Sequence, residues 1–98
     1  MRVPKLSDEE VQREISQLSG WTVEGGKLHR EYKFAGFGEA LAFMVLAGIG
    51  IEKMNHHPEW RNVYNRISVD LVTHDVQGIS SRDFELARLL DETARKFQ

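Results

Sequence analysis

The order of apolar and polar positions divides the chain into seven segments. Ser7-Asp8-Glu9-Glu10 fits a capping box, in which the Ser7 hydroxyl accepts from the Glu10 amide and the Glu10 carboxylate accepts from the Ser7 amide. A helix is therefore predicted from Ser7. Val11, Ile15 and Leu18 give it one apolar stripe, and Gly20 is placed to end it with positive φ. Trp21 and Val23 then share a side of an extended segment, Gly25-Gly26 signals a two-residue turn, and Leu28, Tyr32 and Phe34 alternate against His29, Glu31 and Lys33. That pattern predicts a β-hairpin in which His29 is solvated.

From about Glu39 to Met54 the period changes to that of a helix apolar nearly all round, through Leu41, Phe43, Met44, Leu46, Ile49 and Ile51. Such a helix needs cover on most sides. Gly48 and Gly50 weaken it, at about 1 kcal/mol each relative to Ala, so something is expected to pack close to the backbone there, a neighbouring subunit being one candidate. Pro58 disfavours helical geometry at His57 and ends the helix. Trp60 to His74 reads as β structure, with Ile67, Val69, Leu71 and Thr73 on one face, and it is long enough to predict a bend near Tyr64-Asn65 and hence two strands. Asp75 to Ile79 is a loop. Ser80-Ser81-Arg82-Asp83 repeats the capping-box pattern before a last helix striped by Phe84, Ala87, Leu90, Ala94 and Phe97. The predicted order is α-β-β-α-β-β-α in one domain spanning residues 1–98: an α+β fold with a four-stranded antiparallel sheet and three helices on one face.

Composition narrows the functions such a fold could serve. At 98 residues the chain buries one core and leaves much surface wet, so an apolar face used for self-association, as a homodimer or homotetramer, is expected. A net charge of -2 with mixed signs supplies no basic field for direct nucleic-acid contact or for an anionic membrane. The absence of cysteine removes disulfides, thiolate nucleophiles and cysteine zinc sites. Met1 to Lys5 lacks the apolar run of a signal peptide, and Ala40 to Ile51 falls short of the roughly 18 to 20 residues of a bilayer span. A cytoplasmic protein without membrane contact is the expectation.

Histidine and carboxylate carry the chemistry that remains. His56 and His57 stand at the exit of the second helix and His74 at the end of the long β segment. If that segment runs back beside the helix exit, His74 meets the pair, with Glu52 one turn before His56 placed to orient an imidazole. Neighbouring imidazoles hold donor and acceptor forms together near neutrality, which suits acid/base work. The competing reading makes each histidine a surface residue or a helix C-terminal charge. A metal site is a third reading, disfavoured by the absence of an H-E-x-x-H pattern or a second close ligand pair. Gly25-Gly26 and Gly36-Phe37-Gly38 lack the strand-to-helix setting of a phosphate loop, and Ser80 and Ser81 lack nucleophile-elbow glycines. Trp60 and Tyr64 could stack on a flat ligand or belong to the core.

The run Glu52-Lys53-Met54-Asn55-His56-His57-Pro58-Glu59-Trp60, followed by Asn62-Val63-Tyr64-Asn65, Thr73-His74, Gly78-Ile79-Ser80 and Arg82-Asp83, resembles the signature of the pterin-4a-carbinolamine dehydratases. The resemblance extends more weakly over the rest of the chain. It implies the same α-β-β-α-β-β-α fold, usually as a dimer or tetramer, and a pterin substrate. The implied activity is a lyase that removes water from 4a-hydroxytetrahydropterin, in tetrahydrobiopterin recycling, with no cofactor and no metal. His56, His57 and His74 match the family's active-site histidines. By the same resemblance, proton transfer is expected of His56 and His74, and substrate holding of His57. Glu52, Asn55, Pro58, Thr73, Asp75, Val76 and Asp83 are expected around the substrate. Asn55 stands where animal members often carry aspartate, and Val72 where they carry serine. A non-catalytic role as a dimerisation, assembly or coactivator-type protein of the same fold is the alternative implied by animal, plant and bacterial relatives.

Overall fold

The computed structural model describes residues 3–98; Met1 and Arg2, the start of the segment read above for a signal peptide, lie outside them. Three helices and four strands follow the predicted order: α1 (Asp8–Ile15), β1 (Thr22–Glu24), β2 (Lys27–Lys33), α2 (Phe37–Met54), β3 (Glu59–Val63), β4 (Arg66–Leu71) and α3 (Ser81–Arg95), with a single 3-10 turn at His74–Val76 before α3.

Both capping boxes form. Ser7 accepts from the Glu10 amide at 3.1 Å and the Glu10 carboxylate accepts from the Ser7 amide at 2.8 Å. These contacts hold the Glu10 carboxyl below its usual range, the Ser7 amide being the largest cause. Ser80 and Asp83 make the matching box at the start of α3. α1 stops at Ile15, earlier than Gly20 would have it; residues 16–20 continue as turns, with Gly20 at φ 89°.

The sheet is antiparallel throughout, in the order β1-β2-β4-β3. The two hairpins lie side by side because β2 and β4 pair centrally, Leu28 opposite Leu71 and Tyr32 opposite Ile67. Period-two alternation then sends Leu28, Tyr32, Ile67, Val69 and Leu71 to one face, where they are buried with Phe43, Phe84, Leu86 and Leu90 of the helices. Phe43 is the aromatic hub: its ring centroid lies 5.1 Å from both Tyr32 and Phe34 and 6.3 Å from Trp60. The predicted bend at Tyr64-Asn65 is a tight turn, tied down by mutual hydrogen bonds between Asn65 and Phe34. Tyr64 takes φ 51°, a left-handed conformation unusual for an aromatic residue.

Two expectations are corrected here. β4 ends at Leu71, three residues before His74, because Thr73 leaves the ladder and pairs instead with Gly78, closing the 3-10 turn. His29 is half-buried on the open face of the sheet and is not a solvated residue: its Nδ1 lies 2.9 Å from Asp70 Oδ1, its cross-strand neighbour.

α2 is partly covered by its own chain. At Gly50 a Cβ would meet Leu89 Cδ1 at 2.7 Å, so that glycine is the cost of close α2–α3 packing within the chain. At Gly48 nothing lies within 4 Å. Phe37, Leu41, Val45 and Ile49, spaced four apart, form an exposed apolar stripe on the same helix, with Val45 62% exposed.

Candidate functional site

The C-terminal end of α2, the turn after β4 and the first turn of α3 converge at one end of the molecule. α2 terminates at Asn55, which adopts φ 54° and ψ 42°; a left-handed cap of this kind suits asparagine, whose short polar side chain tolerates it. The Arg82 guanidinium donates to the Met54 carbonyl, so α3 clamps the helix exit that carries His56 and His57.

Asp83 is the hub beneath that exit. It is fully buried, and three donors satisfy its carboxylate: His56 Nε2 at 2.7 Å from Oδ1, Thr73 Oγ1 at 2.8 Å from Oδ2, and the Ser80 amide at 2.9 Å from Oδ2. Thr73 has one hydroxyl hydrogen. Donating it to Asp83 leaves a Thr73 lone pair to accept from the Ser80 hydroxyl, 2.6 Å away. Facing a carboxylate, His56 Nε2 carries the ring hydrogen, and Nδ1 is the nitrogen left for other chemistry. The capping role predicted for Asp83 is therefore real, and the same carboxylate also fixes a histidine 27 residues away.

His74 stands in the 3-10 turn next to Thr73, its side chain 77% exposed and its Nε2 3.4 Å from Glu59 Oε2. Glu59 begins β3 two residues after His57, and its Oε1 receives Lys27 Nζ at 2.6 Å. That hydrogen bond is the main reason the Glu59 carboxyl is held below its usual range and the Lys27 ammonium above its own. His57 is exposed and lines a depression of about 260 Å³ with Glu52, Pro58, Trp60, Ile51 and Gly48.

The structure thus links His56 to Thr73 through Asp83, and His74, the chain neighbour of Thr73, to Glu59 beside Pro58. His57 joins Glu52, Pro58 and Trp60 on the adjoining surface. Asp75 and Asn55 are exposed and Val76 half-buried on the flanking turns. Of the two aromatics weighed as stacking platforms, Trp60 is at this end, whereas Tyr64 lies beyond the far end of β3 and is 65% exposed. Lys27 and Glu59 were not anticipated as partners; they are 32 residues apart, and no spacing rule joins a residue after a hairpin turn to the start of a distant strand. Among the described residues no cluster of three or more histidine, cysteine or acidic side chains is arranged to hold a metal ion. No helix among them is long and apolar enough to cross a membrane.

Residues 4–93 match the profile of the family described as pterin 4 alpha carbinolamine dehydratase. The chain belongs to this family, whose name denotes hydro-lyases. A relative from Solibacter usitatus, provisionally named a pterin-4-alpha-carbinolamine dehydratase, is 57% identical over 92% of this chain and 95% of its own length. One of the same name from Sinorhizobium medicae is 42% identical over 96% of this chain and 91% of its own. The crystal structure of a transcriptional coactivator/pterin dehydratase from Brucella melitensis superposes with a TM-score of 0.88 at 37% identity, covering 92% of this chain and 98% of that one. The family member's fold is thus the fold described above.

Proposed function

We propose that the chain dehydrates 4a-hydroxytetrahydropterin to quinonoid dihydropterin by histidine general acid/base catalysis, in tetrahydrobiopterin recycling in the cytoplasm. The observation that carries this reading is the pairing of two imidazoles at one end of the fold, each with its own carboxylate: His56 with Asp83 at 2.7 Å and His74 with Glu59 at 3.4 Å.

The reaction needs two proton movements. The C4a–O bond breaks as the leaving oxygen takes a proton and departs as water, while the N5–H bond gives up its proton and its electron pair forms the C4a=N5 double bond. An acid and a base on either side of that centre suffice, and such groups typically contribute about 10² to 10⁴ in rate. We assign proton transfer to His56 and His74, whose rings are held by carboxylates. His57 is assigned to holding the pterin, in the depression whose wall is Trp60 and Pro58, with Glu52, Asn55, Thr73, Asp75 and Val76 around it and Asp83 acting from beneath through His56. The apolar stripe of α2 is assigned to self-association: between Phe37 and Ile51 only Glu39 is charged, and a second copy offers the same face to it, as a two-fold contact requires.

Binding tests the site. A dihydropterin titrated into the protein is expected to quench tryptophan fluorescence through Trp60 and to saturate at one ligand per chain, with weaker binding by His57→Ala. Absence of saturable binding would move the assignment to an interaction protein of the same fold, for which the exposed α2 stripe is the favouring observation.

A further inference from the structure

Glu59 and Asp70 are directly opposite each other on neighbouring strands, two carboxylates that repel on the open face of the sheet. β2, the neighbour of β4 and two strands from β3, supplies the compensation. His29 pairs with Asp70 at 2.9 Å, and Lys27 reaches across to Glu59 Oε1 at 2.6 Å. Lys27 is set there by the Gly25-Gly26 turn it follows, where both glycines have positive φ. Neutralised on one oxygen, Glu59 presents the other to His74 Nε2 at 3.4 Å. Exposed ion pairs contribute little to stability, and Lys27, Glu59 and His74 are 36%, 44% and 77% exposed, so the consequence of this chain of contacts lies in where it holds the imidazole. His74 sits on a three-residue turn, and Glu59 is the acidic group the structure puts against its ring.

We propose that Glu59, pinned by Lys27, is a positioning residue for His74: it restrains the ring through Nε2 and leaves Nδ1 as the nitrogen that exchanges a proton with substrate. This rests on the reading of His74 as a proton-transfer group. The geometry gives it the same design as the buried pair, in which Asp83 takes His56 Nε2, except that here the carboxylate is supplied at the surface and held by a lysine from the other hairpin. A ring misplaced by about 1 Å loses on the order of 10²-fold in rate, so an exposed histidine that must act repeatedly needs such a tether.

The test uses the whole protein labelled at histidine. Three-bond couplings of His74 are expected to show one χ1 rotamer in wild type and averaged rotamers in Glu59→Ala, with the same change to a smaller degree in Lys27→Met. In dehydration assays Glu59→Ala is expected to lower kcat by about 10- to 100-fold while KM stays within about twofold, since substrate is held elsewhere. Averaged rotamers already present in wild type, or an unchanged rotamer and kcat in Glu59→Ala, would overturn the proposal. Loss of rotamer order in Glu59→Ala from a wild-type protein that lacks dehydratase activity would support the tether and overturn only the reading of the site.

Discussion

His56 Nε2 lies 2.7 Å from Oδ1 of Asp83, a carboxylate with no exposure to solvent that also caps α3 and accepts from Thr73. One side chain therefore fixes the helix start, Thr73 at the entry to the turn that carries His74, and the ring of His56. In Asp83→Asn the amide oxygen can keep the Ser80 and Thr73 donors, which turns the amide NH2 toward His56 and forces Nε2 to accept. The expected result is the opposite His56 tautomer, seen in nitrogen-15 spectra, with kcat lowered about 10²-fold or more. Stability should fall by about 1–3 kcal/mol in denaturant titrations.

The α2 stripe predicts that the wild-type protein self-associates and that Val45→Glu weakens the assembly without unfolding the chain. Val45 is 62% exposed, so a charge there costs the single chain little. Sedimentation velocity across a concentration series checks this. A wild type that remains monomeric at all concentrations, or an unchanged distribution in the variant, contradicts it.

A second carboxylate binds the first hairpin to α3. Asp91 accepts from Trp21 Nε1 at 3.0 Å, from Arg30 Nη1 at 2.9 Å and from the Tyr32 hydroxyl, and the Arg30 guanidinium also lies 4.6 Å above the Tyr32 ring. Burial first, and the bond to Asp91 second, push the Tyr32 hydroxyl well above its usual range, so it stays a donor throughout the working pH span. Asp91→Ala strands the buried Trp21 and Tyr32 donors, while Arg30 Nη1 keeps the Ser19 carbonyl at 2.8 Å, and should cost about 1–3 kcal/mol for each donor left without a partner. The Asp91→Asn variant, which keeps an acceptor, should cost less. Chemical denaturation of the two variants beside wild type checks the order.

Much of this architecture was legible in local pattern, and the exceptions share one cause. Both capping boxes, the Gly25-Gly26 turn, the break before Pro58 and the turn at Tyr64-Asn65 are decided within a few residues, and all form. The end of β4 is decided elsewhere: Thr73 is drawn out of the ladder by Gly78 on one side and by Asp83 on the other. The candidate site shows the same division. The histidines and Asp83 stand in recognisable spacing, but the pairing of His56 with Asp83, of Glu59 with Lys27 and of Trp21 with Asp91 joins residues 27, 32 and 70 positions apart. The β2–β4 and β3–β4 registers and the packing of α3 bring those partners together. Gly48 and Gly50 signal close packing with a neighbouring subunit as one candidate, yet Gly50 is explained by Leu89 of the same chain, so the expectation of self-association rests on the small size of the domain and on the exposed stripe of α2.

The open face of the sheet predicts a pH dependence. The bond to Asp70 is the largest cause holding the His29 imidazole above its usual value near 6.5, and burial opposes it. A raised folded-state value means that the pair's contribution is fully present below the unfolded value and is lost as pH rises through the folded one. The stability difference between wild type and His29→Gln should therefore be larger at pH 6 than at pH 8.5 (about two units above the usual histidine value). Urea titrations at the two pH values check the sign; a gap that widens with rising pH contradicts the pairing.

The most direct test of the central claim is the rate at which enzymatically generated 4a-hydroxytetrahydropterin loses water, followed by ultraviolet absorbance with wild-type protein and with folded His56→Ala and His74→Ala variants. Acceleration by wild type that falls about 10²-fold or more in each variant is the predicted result. No acceleration by wild type, or full acceleration by a folded variant lacking both histidines, would contradict the account.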